Sequence, residues 1–461
     1  MECKFCNAQM DDEHKFCPFC GKDQEEELVA QEVVETDACC QENDSLEQEA
    51  CEEAFVPEKP KKKTWVLVTA IAGAVIALAT LAVVLLVALG IDLKPRGNDI
   101  KKLDSYTFSD EKAVKKLDTV VATVADKELT NGHLQIYYRM QVIDFLNYYS
   151  SYLTTLGLDY TKPLSEQTCY YDKELTWEQY FLDASIKTWQ NYQTLAVMAE
   201  EAGFTISEEL AQQLEKLPED LETQAIADGY ESAQAMMEEL IGAGCTMDIY
   251  MEYITLAYTA NEFYAQEYER LMPNDAQAEE YFDEQAAVFE QQGITKDGKL
   301  ISSVRHILVC PKATVGEDEE STLGDAEWAV CLAKAEEVLN IWKSGEATEE
   351  SFAALVAEYT EDTGSASTGG LYEDVTPNSN YVENFLNWAV DGQRQPGDTG
   401  IVQTEYGYHI MYFVEGEAYW LHTARNALLT VRTDAFVNEG IEKYPMEVTY
   451  KNICLPELNL V

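Results

Sequence analysis

Two stretches, SVRHILV at 303–309 and YGYHIMYFV at 406–414, decide how this chain is read. In each, apolar residues recur with the period of a half-buried strand, and each carries one histidine, His306 and His409. The chain has five histidines in 461 residues, so two in matching strand settings ask for a chemical reason. On strand position alone, two satisfied core histidines fit equally well. What lies between the runs separates the readings.

From Asp325 the chain runs DAEWAVCLAKAEEVLNIWKSGE, with Trp328, Cys331, Leu332, Ala335, Val338, Leu339 and Trp342 at three- and four-residue steps. That spacing predicts an amphipathic helix ending at Gly345. A second helix is expected in ATEESFAALVAEYTED, with Thr348 as its cap. The loop TGSASTGG, the strand-like GGLYEDV, the short helix VENFLNWAV and the turn QPGDTG follow. The expected order is strand, two helices, strand, helix, strand.

This order, with RHIL at one end and GYHI at the other, resembles the parvulin family of peptidyl-prolyl isomerases. FAALVAEYTED, GGL and PGDTGIVQTEYGYHI are similar to that family's other signature stretches, and the resemblance covers 302–416. It implies paired histidines at His306 and His409, a catalytic carboxylate at Asp362 where the family has cysteine or aspartate, and a buried hydroxyl at Thr404. It also implies an apolar wall residue at Phe385, and Tyr406 as the residue before the GYH turn. Tyr381 stands where the family usually has methionine, and Tyr372 replaces a glycine, so both bring larger side chains to the expected pocket.

The chemistry suits these residue types. Rotation about a peptide bond faces about 18–20 kcal/mol, and X–Pro bonds interconvert in tens to hundreds of seconds. No bond breaks, so neither metal nor cofactor is needed for catalysis. A catalyst needs an apolar cup and fixed polar groups that favour the twisted imide over the planar one. Leu371, Tyr381 and Phe385 are expected to form the cup, with Tyr406 beside it, and His306, His409 and Thr404 the polar floor. Asp362 is expected to polarise the substrate carbonyl region; without the resemblance it reads as a solvated loop carboxylate, and Phe385 as ordinary core. The acidic loop ATVGEDEESTLGDAE argues against selection of phosphorylated Ser/Thr-Pro, which calls for Arg or Lys.

A formal charge of −52 excludes a general nucleic-acid role. Residues 65–91 hold no charged side chain; as a helix they span about 40 Å, beyond the roughly 30 Å hydrocarbon core, and one transmembrane helix is expected. Ala88-Leu89-Gly90 offers a possible cleavage point. KPKKK at 59–63 precedes the span, and the positive-inside bias predicts a cytoplasmic N-terminus with the bulk of the chain extracytoplasmic at the cell membrane. Within 1–23, Cys3, Cys6, Cys17 and Cys20 form two CxxC knuckles, the pattern of a structural Zn2+ ribbon, with a redox pair as the alternative. Residues 24–64 read as an acidic disordered linker. The five cysteines beyond the span are scattered and give no disulfide framework.

Residues 92–301 read as a mostly helical region, with helices over 175–202, 206–228, 231–242, 246–271 and 274–292. Its opening, VATVADKELTNGHL, is similar to the chaperone region of PrsA- and SurA-like foldases, which implies that 417–461 packs back on it. The expected fold class is α+β: an antiparallel parvulin sheet with surrounding helices on a helical chaperone-like region, plus ribbon and anchor. The expected function is a single-pass membrane foldase acting on X–Pro bonds of unfolded exported polypeptides. A catalytically inactive chaperone of parvulin fold and a peptide-binding membrane sensor remain as alternatives.

Overall fold

The computed structural model describes residues 100–101, 103–315 and 321–458. The ribbon cysteines Cys3, Cys6, Cys17 and Cys20, the acidic linker and the apolar run 65–91 all lie outside the described residues. Among the described residues no helix is long and apolar enough to cross a membrane.

The chain opens with β1 (Thr107–Phe108) and α1 (Asp110–Val114), then the hairpin β2 (Val120–Val124) and β3 (Lys127–Thr130). Helices follow: α2 (Asn131–Tyr148), α3 (Trp177–Ala202), α4 (Glu208–Ala227), α5 (Ala233–Leu240), α6 (Met247–Leu271), α7 (Asp275–Glu284) and α8 (Ala286–Gln291). The longest, α3, is fixed at both ends by local chemistry. Thr176 and Gln179 form a reciprocal capping box, and Gly203 closes the helix at φ +68°, where a side chain would be strained. Its first turns bury Trp177 and Phe181 against Phe145 of α2, with ring centroids 5.2 Å from Phe145 in both cases.

The second part begins with β4 (Leu300–Val309) and a short ribbon of β5 (Thr314–Val315) and β6 (Ser321–Thr322). Next come α9 (Asp325–Ser344), α10 (Glu349–Tyr359), β7 (Leu371–Val375), α11 (Glu383–Ala389), β8 (Thr399–Thr404) and β9 (Gly407–Ala418). The four longer strands form one antiparallel sheet in the order β7-β4-β9-β8. Alternation splits β4 between two cores. Ile307 and Val309 pack with Cys331, Val338, Trp342, Phe352 and Val356 of α9 and α10. Val304 packs on the opposite face with Phe385 and Ala389 of α11. The histidines lie on the α11 face.

After the sheet, α12 (Tyr419–Lys443) runs back along α3, α6 and α7, and β10 (Met446–Val448) pairs with β2. Finally β11 (Leu455–Pro456) lies parallel to β1. The isomerase-like segment is thus an insertion between parts of one helical core, with Val437, Ile453 and Leu455 buried among residues of α2 to α6.

Three expectations need correction. The single helix expected over 274–292 breaks at Gln285, whose φ of −104° and ψ of 18° leave the helical region, giving α7 and α8. A strand absent from the expected order, β8, precedes the second histidine strand. The strand-like MEVTYKNICL is interrupted by a 3-10 turn at Tyr450–Asn452, which separates β10 from β11.

Candidate functional site

Register brings the polar groups together. His306 lies opposite Met411, and His409 opposite Leu308, so the histidines are diagonal neighbours on one face of the two central strands. Across the next pairing His409 faces Val402, and Thr404 follows two residues later on that same face. His306, His409 and Thr404 are buried, at 3%, 5% and 7% exposure. Asp362 arrives from the loop after α10. There Thr360 and Glu361 continue the edge beside β4: the Glu361 N–H donates to the Leu308 carbonyl at 2.8 Å, and the Thr360 hydroxyl accepts from the Leu308 N–H at 3.2 Å.

The side chains form one directed series of hydrogen bonds. His306 Nε2 lies 2.9 Å from Asp362 Oδ2, His306 Nδ1 lies 3.0 Å from His409 Nδ1, and His409 Nε2 lies 2.8 Å from Thr404 Oγ1. Ionised Asp362 only accepts, so His306 carries its proton on Nε2 and presents a bare Nδ1. His409 then donates from Nδ1 and accepts the Thr404 hydroxyl at Nε2. Thr404 Oγ1 in turn accepts the Tyr406 N–H at 3.2 Å. The imidazoles stack at 5.1 Å with 18° between planes.

Electrostatics agrees with that proton count. Burial lowers the His306 pKa against the opposing pull of Asp362. Burial and the neighbouring His306 bring His409 down to about 4. For Asp362 burial acts upward, but donors from Ser365, His306, Gly364 and Tyr372 outweigh it and hold the carboxyl well below the usual range. At neutral pH the site therefore holds one carboxylate and two neutral imidazoles.

Phe385, 3% exposed, stands 5.4 Å from the His306 ring and 5.5 Å from His409. Tyr381 leans on Phe385 at 5.5 Å and stays 37% exposed at the cleft edge. Leu371 does not join the cup. It pairs with Arg305, and that register turns it to the face away from His306, whereas Tyr372, opposite Val304, takes the histidine face. Tyr406, 60% exposed at the β8–β9 turn, meets the site through its backbone N–H on Thr404.

Sequence reasoning missed Ser365, which is buried and donates to Asp362 Oδ2 at 2.5 Å while lying 3.3 Å from His306 Nε2. The run TGSASTGG carries no local pattern that singles it out. Gly370 was also missed: its φ is +73°, its carbonyl accepts the His306 N–H at 2.9 Å, and a Cβ there would overlap the His306 carbonyl oxygen. Arg305, on the opposite face, donates to Glu349 and to the Thr368 and Gly369 carbonyls, each at 2.9 Å, and so holds the loop that carries Ser365. Among the described residues no group of three or more His, Cys, Asp or Glu side chains is placed to hold a metal ion.

The site thus combines a carboxylate, two neutral imidazoles and an aromatic wall. Residues 306–415 match the family model of the PPIC-type PPIase domain, or rotamase. The chain thus contains a parvulin-type peptidyl-prolyl cis–trans isomerase domain, bounded by the two histidine strands. No curated protein sequence matches the chain. Similar solved structures include the PPIase domain of TBPAR42, at 24% identity over 25% of this chain and 99% of that one, with a TM-score of 0.20. PrsA from Bacillus subtilis is 20% identical over 58% of this chain and 87% of its own, at a TM-score of 0.25. A Campylobacter jejuni structure, of the virulence factor PEB4 and the periplasmic protein Cj1289 described as SurA-like chaperones, is 16% identical over 70% of this chain and 96% of that one, at a TM-score of 0.19.

Proposed function

We propose that the chain is a membrane-anchored extracytoplasmic foldase that isomerises X–Pro bonds in exported polypeptides, with chaperone activity in its helical region. The observation that carries the enzymatic part is the series Thr404, His409, His306, Asp362 lying inside the matched isomerase segment. In a planar imide, resonance places negative charge on the carbonyl oxygen, and twisting returns part of it to nitrogen. A fixed carboxylate beside that oxygen destabilises the planar form more than the twisted one, which is differential stabilisation of the transition state. Asp362 serves in this role, with His306 and His409 fixing it from beneath and Phe385 and Tyr381 seating the proline ring. Phe385 and Tyr381 also exclude water from one side of the bond.

Placement outside the cytoplasm rests on the uncharged run 65–91 and on KPKKK before it. In this reading Cys3, Cys6, Cys17 and Cys20 stay in the reducing compartment as a zinc ribbon. The chaperone role is supported by exposed aromatics near the end of α2, with Tyr148 at 79% and Tyr152 at 62% exposure, and Tyr171 close by at 48%. Protease added to intact cells, followed by depletion and rescue, tests the whole. The expected pattern is digestion of 92–461 from outside with residues 1–64 protected, and loss of folded proline-containing exported protein restored by the wild-type chain and not by Asp362→Asn. Full protection from protease overturns the placement, and equal rescue by Asp362→Asn overturns the catalytic role.

A further inference from the structure

Tyr372 is the residue whose bulk departs most from what the expected pocket accommodates, yet its contacts are those of a built-in part. Strand register sends its side chain to the histidine face, where its hydroxyl donates to Asp362 Oδ2 over 3.0 Å. Its ring lies 5.2 Å from His306 at 61° and 5.4 Å from Tyr381 at 84°. Its hydroxyl meets the same carboxylate oxygen that accepts from His306 and Ser365, so its contacts are with the site's polar series itself.

We propose that Tyr372 is a positioning residue for isomerisation: its hydroxyl fixes the Asp362 carboxylate and shares its charge, while its ring braces the His306 imidazole. The inference rests on the isomerase reading of this site. Three donors converge on Asp362 Oδ2, from His306, Ser365 and Tyr372. A carboxylate that faces an imidazole alone draws a proton onto it. Spread over three donors, the same charge pulls less on His306, and the imidazole stays neutral with its Nδ1 bare toward His409.

The titratable groups facing His306 among the described residues are Asp362 from the loop after α10, His409 from β9 and Tyr372 from β7. Tyr381 stands behind Tyr372, and Arg305 is turned to the other face with Glu349. Burial, reinforced by Asp362, pushes the Tyr372 hydroxyl up to about 12, so it remains a donor at every working pH. The carboxylate therefore has a second fixed anchor beside Ser365, on a separate strand. Ser365 comes from the loop and Tyr372 from the sheet, so together they define the orientation of the carboxylate from two sides.

The test compares the full chain with its Tyr372→Phe and Tyr372→Leu variants, reading kcat and KM on an X–Pro peptide and the titration of the His306 ring nitrogens by NMR. Tyr372→Phe keeps the ring and removes only the hydroxyl. The expected result is a kcat lower by about tenfold with KM within about twofold, and a His306 midpoint raised by about one unit. Tyr372→Leu, which also removes the ring, is expected to lose more and to raise KM. A Phe variant equal to wild type in both kcat and titration overturns the proposal, as does a Leu variant faster than wild type, which would make Tyr372 an obstruction. An inactive wild type whose His306 titration still shifts in the Phe variant would sustain the clamp and overturn the isomerase reading instead.

Discussion

Asp362→Asn is the substitution from which most can be worked out. It keeps the shape of the side chain and removes its charge. Three donors converge on Oδ2, and the Gly364 N–H reaches Oδ1 at 3.0 Å. An asparagine oxygen can take the Oδ2 position, but its amide nitrogen then points donors at the Gly364 N–H. Hydrogen bonds to a charged group are worth about 1.5–3 kcal/mol against about 0.5–1.5 for neutral ones. The carboxylate is 19% exposed, so solvent reduces the difference, and a net stability loss of about 1–3 kcal/mol is expected.

The effect on catalysis comes from charge. Two unit charges about 4 Å apart at an effective dielectric constant of about 20 interact by about 4 kcal/mol. The carbonyl oxygen sheds only a fraction of a charge on twisting, roughly a third, so the differential is about 1–1.5 kcal/mol. That corresponds to a fall in kcat/KM of about tenfold. Protease-coupled or NMR-exchange measurement of isomerisation on a short X–Pro peptide reads it directly, with a melting curve to confirm that the variant is folded. A folded Asp362→Asn chain retaining more than half of wild-type kcat/KM would refute the electrostatic reasoning.

Other consequences can be checked in parallel. Because the fold depresses His409 to about 4 from an ordinary value near 6.5, the unfolded chain takes up the proton first as pH falls. The stability contributed by the neutral ring is complete above about pH 6.5 and is lost between there and about pH 4, by roughly 2–4 kcal/mol. Denaturant titrations at several pH values should show this slope, and His409→Gln should flatten it; a slope identical in the variant contradicts the assignment. Activity should follow the same acid limb, flat from pH 7 to 8 and falling toward pH 4. Tyr381→Ala, at an exposed ring on the cleft edge, should raise KM by about threefold and change stability by less than about 1 kcal/mol; an unchanged KM removes Tyr381 from the cup. Gly370→Ala places a Cβ on the His306 carbonyl at a φ of +73° and should cost more than about 2 kcal/mol in a thermal or chemical melt. Wild-type stability there would mean that the β4–β7 edge is looser than described.

The sequence made the site legible where chemistry is encoded by pattern. Alternation set both histidines on strands, and three- and four-residue steps located α9 and α10 with Thr348 capping the second. It was less informative where one residue of register decides orientation. Leu371 and Tyr372 are neighbours, and only the pairing of Arg305 with Leu371 shows which of them reaches the histidines. Ser365 sits in a run of small polar residues that reads as loop, and nothing local says that this loop folds back over Asp362. The short β8 has only Ile401 and Val402 as apolar residues, too few to show a period. Its partner Gly407–Ala418 identifies it, and that pairing is a tertiary fact. The break at Gln285 is similar, because helix-compatible residues continue on both sides of it.

In the proposed function, His306, His409 and Asp362 form a working prolyl isomerase site. Refolding of a client limited by a cis-proline step, in the presence of catalytic amounts of the full chain, tests it most directly, because that step takes tens of seconds unaided. The expected result is a slow phase that accelerates in proportion to added chain, and that loses most of the acceleration with His306→Ala or Asp362→Asn. A slow phase unchanged by the folded wild-type chain, with aggregation of the client still suppressed, would contradict it and leave the domain a binding module.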